Sequence, residues 1–400
     1  MLSVGRAPQL RIVVVSHYFD SHRGGVEIVA GRLAGELAQL GFSVTWLATN
    51  ASPAPRGQQR VRAVELAASN VAERTVGIPY PLPSPSAFRR ILREIQNADL
   101  VLIHDALYLT SIAAFAAARR HGKPVLVVQH IGSVPYKNPL LRGLMKLANR
   151  MIARPLLARA DQTVFISETT ALYFGQTRFR TPPELIFNGV DTQTFSPATG
   201  PEEVGEARRR LRLPEQGQVA LFVGRFVEKK GLPVLRRLAE TRPEIIFAFA
   251  GWGPQNPRKW RMPNVRVLDA LAGPDLAVLY RASNLLILPS TGEGFPLVVQ
   301  EALASGLAVV CGRETALADP GAAHLVTGVH VDPDDLPETA RGFEKAVAQV
   351  LAEGDSPERR KARAALARER YSWSRSAARY AELVVQLTGA RRRADRVTLA

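Results

Sequence analysis

The sequence predicts an α/β protein with two doubly wound domains, each a parallel sheet covered by helices. Its 400 residues exceed the length of one ordinary domain. Short apolar runs alternate with helical patterns in both halves, which is typical of repeated βα units. A charged segment without hydrophobic periodicity, at about residues 196–212, separates the two series. We therefore expect domains over residues 1–195 and 196–371, and a C-terminal helix at about residues 372–390 that packs back on the first.

In the first series, five apolar runs have the length of strands and do not alternate with polar residues, which indicates parallel strands buried on both faces. They lie at residues 11–16, 44–48, 99–104, 124–130 and 162–167. Helical patterns lie between them, at about residues 26–40, 86–96 and 109–121.

The second series repeats this alternation. Its strands are expected at residues 219–224, 245–251, 264–268, 284–288 and 307–310. Its helices are expected at about residues 232–240, 274–281, 297–305 and 340–352. Because ligands of open α/β sheets bind outside the carboxyl ends of the strands, we expect the site in the loops that follow these strands, in a cleft between the domains.

The composition limits the class of protein and its partners. Lysine and arginine number 52 against 36 aspartate and glutamate, and the formal net charge of +16 favours an anionic partner. A single cysteine, Cys311, excludes an intramolecular disulfide framework and fits a reducing cytoplasm. No apolar run approaches the roughly 20 residues of a membrane span. We therefore expect a cytoplasmic protein.

The segment after the strand at residues 284–288 carries Glu293 and Glu301, eight positions apart, on a glycine-rich turn and the helix that follows it. Strand, turn and helix form an anion-binding geometry, because free N–H groups and the helix dipole point at the turn. Carboxylates on either side of such a site suit hydroxyl groups, and a diphosphate flanked by hydroxyls describes a nucleotide-sugar. The alternative is that Glu293 only caps the helix.

Two loops of the first domain are further candidates. Gly24 and Gly25 precede a helix and allow a backbone to approach a bound group closely. His130 ends a strand, where its side chain would point into the cleft and bond a substrate hydroxyl or carry a proton. A flexible loop and a structural histidine are the alternatives. His17, His104 and Asp105 lie at equivalent strand ends and share that ambiguity.

In the second domain, Arg225 and Lys230 lie five residues apart on one loop after a strand. Two cations at this spacing can bracket a diphosphate, with a planar fork from arginine and a mobile point charge from lysine. No transition-metal ligand set lies nearby, so we predict neither a metal nor a cofactor, and these cations would do what magnesium does on many leaving diphosphates. Solvated surface charge is the alternative.

Taken together and in this order, the motifs resemble those of the retaining GT-B glycosyltransferases of family 4. They are Gly24-Gly25-Val26-Glu27, His130, Asn188-Gly189-Val190-Asp191, Gly224-Arg225 with Lys230, Glu293-Gly294-Phe295-Pro296 with Glu301, and Tyr371-Ser372-Trp373. The resemblance covers about residues 10–388. It implies a GT-B fold, that is, two Rossmann-like domains facing across a cleft, with the sugar nucleotide in the C-terminal domain.

The resemblance also implies a role for each matching residue. Arg225 and Lys230 bind the diphosphate and neutralise the leaving group, Glu301 accepts hydrogen bonds from the ribose, and Glu293 lies beside the transferred sugar. His130 contacts the sugar near its 6-hydroxyl. The remaining donor-binding positions, mostly backbone, are Gly24, Gly25, Gly224, Gly294, Phe295, Pro296, Leu297 and Val298.

By resemblance, the reaction moves a hexosyl group from a UDP- or GDP-sugar to a hydroxyl of a glycan or lipid-linked acceptor, in cell-envelope polysaccharide or glycolipid synthesis. The configuration is retained by front-face displacement, and no metal is needed. A sugar-nucleotide epimerase or a glycan phosphorylase of the same architecture is the alternative. The set Arg225 and Lys230 with Glu293 and Glu301 argues against an epimerase, and the sequence offers no site for the cofactor lysine that a phosphorylase would need. A nucleic-acid-binding protein is a remoter alternative, because the basic segment lacks interleaved aromatic residues, and we predict no nucleic-acid partner.

Residues 137–159 predict a basic amphipathic helix in the acceptor half. They hold six basic residues and no acidic one, with Arg142, Lys146, Arg150 and Arg154 spaced every four residues and leucines opposite. Such helices bind anionic membrane surfaces, here the inner face of the plasma membrane. The alternative is an ordinary helix that packs its apolar face on the first domain. Pro155 is expected to end or kink the helix.

Overall fold

The computed structural model describes residues 9–55, 60–76, 80–132, 138–269 and 271–398. Over these residues the chain forms two parallel sheets, of seven and six strands, and a separate two-stranded sheet. Helices cover the two parallel sheets. The predicted doubly wound α/β class is therefore confirmed.

The N-terminal sheet has the strand order β3-β2-β1-β6-β7-β8-β9, with every pair parallel. Its strands are β1 Arg11–Val15, β2 Ser43–Thr49, β3 Val61–Leu66, β6 Leu100–His104, β7 Val125–Gln129, β8 Gln162–Phe165 and β9 Glu184–Leu185, while β4 Ala68–Ser69 and β5 Leu82–Pro83 pair apart from it. The helices of this half are α1 Gly25–Gln39, α2 Val71–Val76, α3 Pro85–Gln96, α4 Leu109–Arg120, α5 Pro139–Ala148, α6 Arg154–Arg159 and α7 Glu168–Tyr173.

The C-terminal sheet has the order β12-β11-β10-β13-β14-β15, again all parallel. Its strands are β10 Gln218–Val223, β11 Ile245–Ala250, β12 Val265–Leu268, β13 Leu285–Leu288, β14 Ala308–Gly312 and β15 Val326–Val329. The helices are α8 Pro201–Arg210, α9 Leu232–Thr241, α10 Gly273–Ala282, α11 Leu297–Ala304, α12 Arg313–Ala316, α13 Leu336–Glu353, α14 Pro357–Tyr371 and α15 Trp373–Thr398. No helix of the described residues is long and apolar enough to cross a bilayer.

The strand orders place the functional loops. The order of each sheet reverses beside its first strand, between β1 and β6 in one sheet and between β10 and β13 in the other. Such a switch point opens a crevice at the carboxyl ends of the strands. The loops after β1, β10 and β13, which carry most of the predicted motifs, leave their sheets at these two crevices.

The last helix returns to the first sheet. Ala377, Tyr380, Leu383 and Val384 of α15 are buried in one apolar cluster with Ile12 of β1 and with residues of α1 and β2. The chain reaches this position through a crossing at Tyr371, whose carbonyl accepts from Val190 N at 2.6 Å.

The crossing is fixed by a buried carboxylate. Asp319 accepts from the Tyr371 hydroxyl at 2.6 Å and from the Arg370 guanidinium at two positions, each 2.7 Å. The Tyr371 ring packs edge-on against Phe187 and against Phe295, a residue of the glutamate motif. The crossing therefore supports the turn that carries Glu293.

Several elements differ from the sequence expectation, among them two edge strands and a helix. The edge strands β3 and β15 were not predicted, and the segment at residues 196–212 contains α8. That helix has Glu202 and Glu203 in its first turn and arginines in its last, an arrangement that suits the helix dipole. Only Ala207 and Arg208 of α8 are buried, so the helix has no apolar periodicity.

The basic helix does not end at Pro155, so this part of the expectation that Pro155 ends or kinks it is wrong. A π-helical turn, Asn149–Ala153, follows α5 and leads directly into α6, where Pro155 occupies the first turn. Because Ala153 and Arg154 are already helical, Pro155 lies within a continuous helix, and its missing N–H falls where the wider π turn meets α6. Lys137, the first residue of the predicted segment, lies outside the described residues.

We predict that Tyr371→Phe lowers the free energy of unfolding by about 2 kcal/mol, because it removes a buried hydrogen bond to a carboxylate. Tyr380→Phe is the matched control, since the Tyr380 ring is buried but its hydroxyl makes no hydrogen bond within the described residues. Denaturant unfolding of both variants measures the effect. Equal stability of the two variants would contradict the proposed role of the Asp319 cluster.

Candidate active site

The first feature of the site is an ion pair between two predicted residues. Lys230 Nζ lies 2.9 Å from Glu293 Oε1, with Lys229 Nζ 3.9 Å away. Burial raises the pKa of Glu293, but Lys230 and Lys229 outweigh it, so that its pKa is lowered overall and the group is ionised. The loop that carries Lys230 lies close to the segment before Glu293, and this requires a glycine at position 231. Gly231 has φ +71°, and a Cβ there would lie 2.2 Å from the Pro289 carbonyl oxygen.

Arg225 lies on the same loop and faces a different carboxylate. Its guanidinium stacks over the Trp252 ring at 4.7 Å, and its Nη2 lies 3.8 Å from Glu73 Oε1 of the N-terminal domain. The loop is tightly packed beside Gly224, since a Cβ on Gly251 would lie 1.9 Å from the Gly224 carbonyl oxygen. The two predicted cations therefore share one rigid loop, and each has a carboxylate beside it.

Glu301 lies in the second turn of α11, and its hydrogen-bond partner lies on α10. Its Oε2 accepts from the Tyr280 hydroxyl at 2.8 Å, and that hydroxyl also lies 3.2 Å from the Val298 carbonyl oxygen. Burial raises the pKa of Glu301 to about 7, while the Tyr280 hydrogen bond acts in the opposite direction. Glu293 and Glu301 are therefore held separately, and near neutral pH one is ionised while the other is half-protonated.

The turn between the two glutamates meets the N-terminal domain. A Cβ on Gly294 would lie 2.1 Å from the His130 carbonyl oxygen, so only glycine allows the two loops to touch. Helix α11 begins at Leu297, after Pro296. Proline has no N–H, so four of the five residues from Gly294 to Val298 can donate from the backbone. The Phe295 side chain is buried against Phe187 and Tyr371, which leaves only its backbone for a ligand.

His130 is more enclosed than the sequence suggested. Its Nε2 lies 2.9 Å from His104 Nδ1, and its backbone N–H donates to Asp105 Oδ1 at 3.1 Å. Burial lowers the pKa of His130 to about 3 and that of His104 well below its usual value, so both rings are neutral. One ring must then donate to the other. His130 thus suits a role in hydrogen bonding rather than as a proton carrier at neutral pH.

Gly24 and Gly25 begin α1 beside a buried carboxylate. A Cβ on Gly24 would lie 2.1 Å from Glu27 Oε2, so a side chain there would displace Glu27 from its 2.8 Å contact with His17 Nε2. Gly25 is different, because a Cβ there would point into open space. Gly24 is thus needed for packing, whereas Gly25 is exposed with open space beside its backbone.

Among the residues of the site that sequence reasoning missed are Tyr18, His22, Asn70, Glu73 and Tyr280. Glu73 lies on the short helix α2 and reaches Arg225, which is 152 positions away in the chain. No local motif marks such a contact, although Tyr18 and His22 both lie on the loop after β1 that the sequence had singled out.

Comparison with known proteins agrees with this geometry. Residues 23–194 match the family model described as Glycosyltransferase Family 4, and residues 203–367 match that of Glycosyl transferases group 1. A D-inositol 3-phosphate glycosyltransferase of Thermobispora bispora is 30% identical over 315 residues, covering 71% of this chain and 70% of that protein. The chain belongs to glycosyltransferase family 4. The assignment of the sequence to this enzyme family is confirmed.

Other similarities extend this result. A D-inositol 3-phosphate glycosyltransferase of Salinispora tropica is 32% identical over 272 residues, covering 60% of this chain; the matches to it and to its Salinispora arenicola counterpart span only 55% and 59% of those relatives. Among solved structures, Anabaena HepE in complex with UDP-glucose superposes with a TM-score of 0.68 at 16% identity, covering 94% of this chain and 100% of that one. The similarity to glycosyltransferase structures confirms the predicted GT-B fold.

The state of Glu301 leads to a pH-dependent prediction. Its folded pKa of about 7 lies above the ordinary value of 4.5, so its contribution to stability is complete below pH 4.5 and is lost as the pH rises through 7. Glu301→Gln does not titrate. We therefore predict that the variant gains stability relative to wild type between pH 5 and pH 8, by up to about 3 kcal/mol. Guanidinium unfolding of wild type and variant at pH 5 and at pH 8 measures this gain. The same stability difference between the two proteins at both pH values would show that the pKa of Glu301 is not raised.

Proposed function

We propose that the protein is a retaining glycosyltransferase that moves a hexosyl group from a UDP- or GDP-sugar to a hydroxyl of a glycan or lipid-linked acceptor. One observation carries the proposal: Arg225 and Lys230 lie on one tightly packed loop, with Lys230 against Glu293 on the turn before α11 and Arg225 facing Glu73 of the N-terminal domain. Two fixed cations close to a helix N-terminus suit a diphosphate. Envelope polysaccharide or glycolipid synthesis is the proposed setting.

The donor is proposed to lie along the turn before α11. Its diphosphate would occupy the position between Arg225 and Lys230, where it would replace Glu293 as the partner of Lys230. Glu293 would then accept hydrogen bonds from sugar hydroxyls, and Glu301, oriented by Tyr280, would accept them from the ribose. The structure of Anabaena HepE in complex with UDP-glucose supports a nucleotide-sugar donor for this fold.

The proposed reaction proceeds on one face of the sugar. The bond from the anomeric carbon to the diphosphate oxygen breaks, the acceptor oxygen forms its bond on the same face, and a phosphate oxygen takes the acceptor proton. Arg225 and Lys230 stabilise the charge that develops on the leaving group, as oriented donors do in other enzymes. In this scheme the protein supplies positioning and charge, and it needs neither a metal ion nor a cofactor. The NMR signal of the anomeric proton in the product, compared with that in the donor, would show whether the configuration is retained.

We predict that Arg225→Ala and Lys230→Ala each reduce turnover at least about 100-fold, since an oriented donor to the developing charge contributes ~3–4 kcal/mol. Lys229→Ala is the matched control. It removes a neighbouring charge that is half exposed and 3.9 Å from Glu293, and we expect a loss below about tenfold.

A thermal-shift screen of UDP, GDP, ADP and their sugar conjugates first identifies the donor. Turnover of each variant is then measured as the rate of nucleotide release from that donor. Near-normal turnover of folded Arg225→Ala and Lys230→Ala would refute the site. Wild-type protein that binds none of these nucleotides would refute the proposed function.

The basic helix is proposed to bind an anionic membrane surface on the inner face of the plasma membrane. Leu140, Leu144, Leu147 and Met151 are all more than half exposed, up to 81% for Leu140, so they do not pack on the domain. Arg142, Lys146 and Arg150 are exposed on the same segment. The expected fourth cation is different, because Arg154 is partly buried and donates to the Tyr173 carbonyl oxygen at 3.1 Å. Exposed leucines next to cations fit a surface-bound helix.

We predict that the protein floats with phosphatidylglycerol vesicles at low salt and less with phosphatidylcholine vesicles, because each cation near an anionic surface contributes about 1 kcal/mol. Leu140→Ser with Leu144→Ser should weaken binding at least about tenfold, since each buried leucine contributes about 1.5–3 kcal/mol. Phe88→Ser with Leu92→Ser on α3 is the control, because these side chains are also exposed. Absence of flotation with either lipid would remove this part of the proposal.

A further inference from the structure

A second polar cluster faces Arg225 from the N-terminal domain. Glu73 Oε2 accepts from the Tyr18 hydroxyl at 2.9 Å and from Asn70 Nδ2 at 2.8 Å, while its Oε1 lies 3.0 Å from His22 Nε2. The His22 ring stacks on Tyr18 at 3.9 Å. Three side chains thus fix one carboxylate, and we call these four residues the Glu73 cluster.

The carboxylate of this cluster carries a charge. Burial raises the pKa of Glu73, but the hydrogen bonds from Asn70, His22 and Tyr18 outweigh it and hold the pKa below its usual value. The Glu73 side chain is still 18% exposed. An ionised, oriented carboxylate that reaches solvent is therefore open to a ligand as well as to its protein partners.

The position of Glu73 places it on the acceptor side of the proposed reaction. Its Oε1 lies 3.8 Å from Arg225 Nη2, the proposed ligand of the leaving diphosphate. In front-face displacement the acceptor hydroxyl must approach that same phosphate, because the phosphate takes its proton. Whatever part of the acceptor lies next to the reacting hydroxyl therefore comes close to Glu73.

We propose that Glu73 determines acceptor specificity: it accepts hydrogen bonds from neutral hydroxyls next to the reacting one and excludes an acceptor with a phosphate at that position. The proposal rests on the glycosyl-transfer function proposed above. Like charges within a few ångströms repel, and a buried anion without a partner is costly, so a phosphomonoester next to Glu73 is disfavoured twice. Several relatives are named for D-inositol 3-phosphate, a phosphorylated acceptor, and Glu73 points to a different acceptor class for this chain.

The same carboxylate has a second effect when the donor is absent. Glu73 then lies beside Arg225, whose Nε is buried without a hydrogen-bond partner in the described part of the chain. An arriving diphosphate competes with Glu73 for this guanidinium. Neutralising Glu73 should therefore strengthen diphosphate binding as well as relax the exclusion of phosphate.

The test compares wild type with Glu73→Gln, which keeps the size and much of the hydrogen bonding of the side chain. Glu65→Gln, on the exposed side of β3, is the matched control. Calorimetry first measures the affinity for UDP and GDP. It then measures, with the tighter nucleotide at saturation, the affinity for D-inositol 3-phosphate and for inorganic phosphate.

We expect Glu73→Gln to bind the nucleotide about three- to tenfold more tightly than wild type and D-inositol 3-phosphate at least about tenfold more tightly, with Glu65→Gln unchanged. Wild-type protein that binds D-inositol 3-phosphate as tightly as Glu73→Gln would overturn the proposal, as would equal nucleotide affinities. If Glu73→Gln gains affinity for inorganic phosphate but not for D-inositol 3-phosphate, Glu73 is only a counter-ion of Arg225, and the proposed specificity role is overturned. If wild type binds no nucleotide, the proposed function fails instead.

Discussion

The site depends on one constraint: a pocket for a doubly charged ligand must keep its cations in place when no ligand is present. Like charges on one loop repel, so Arg225 and Lys230 need counter-ions that a diphosphate can later replace. Glu293 fills this role for Lys230 and Glu73 for Arg225. Truncating one partner of an enclosed ion pair leaves a charge uncompensated, so Glu293, in the shorter and more enclosed pair, also stabilises the fold. In the proposed scheme the donor diphosphate replaces these carboxylates as the partner of the two cations.

This exchange joins the two domains. Lys230 and Glu293 belong to one domain, whereas the Arg225 and Glu73 contact crosses the cleft, as does the contact of Gly294 with the His130 carbonyl oxygen. A backbone hydrogen bond from Glu168 N to the Ala318 carbonyl oxygen, 2.8 Å long, crosses nearby. These contacts hold segments of the two halves together, and in the proposed scheme a ligand at Arg225 would also act on Glu73.

Sequence reasoning succeeded where physics acts locally. Central strands such as β1 and β10 are buried on both faces and are therefore apolar after their first residue, while the edge strand β3 carries the exposed residues Arg62 and Glu65 and was not predicted. The loop carrying Arg225 and Lys230 was found because its charges follow a strand directly. Glu73 and Tyr280 were not found, because each acts on a residue distant in the chain and has no signal of its own. The continuation of the basic helix past Pro155 was not foreseen, because the local sequence pattern does not reveal a π-helical turn.

The central claim is that Arg225 and Lys230 form a diphosphate site, and calorimetry tests it most directly. Wild type and the Arg225→Ala, Lys230→Ala double variant are titrated with UDP, GDP and the corresponding monophosphates. Charged hydrogen bonds contribute about 1.5–3 kcal/mol each, so one diphosphate should bind wild type at least about tenfold more tightly than its monophosphate. The double variant should lose that preference. A folded double variant that keeps it, or a wild type that shows none, would contradict the account.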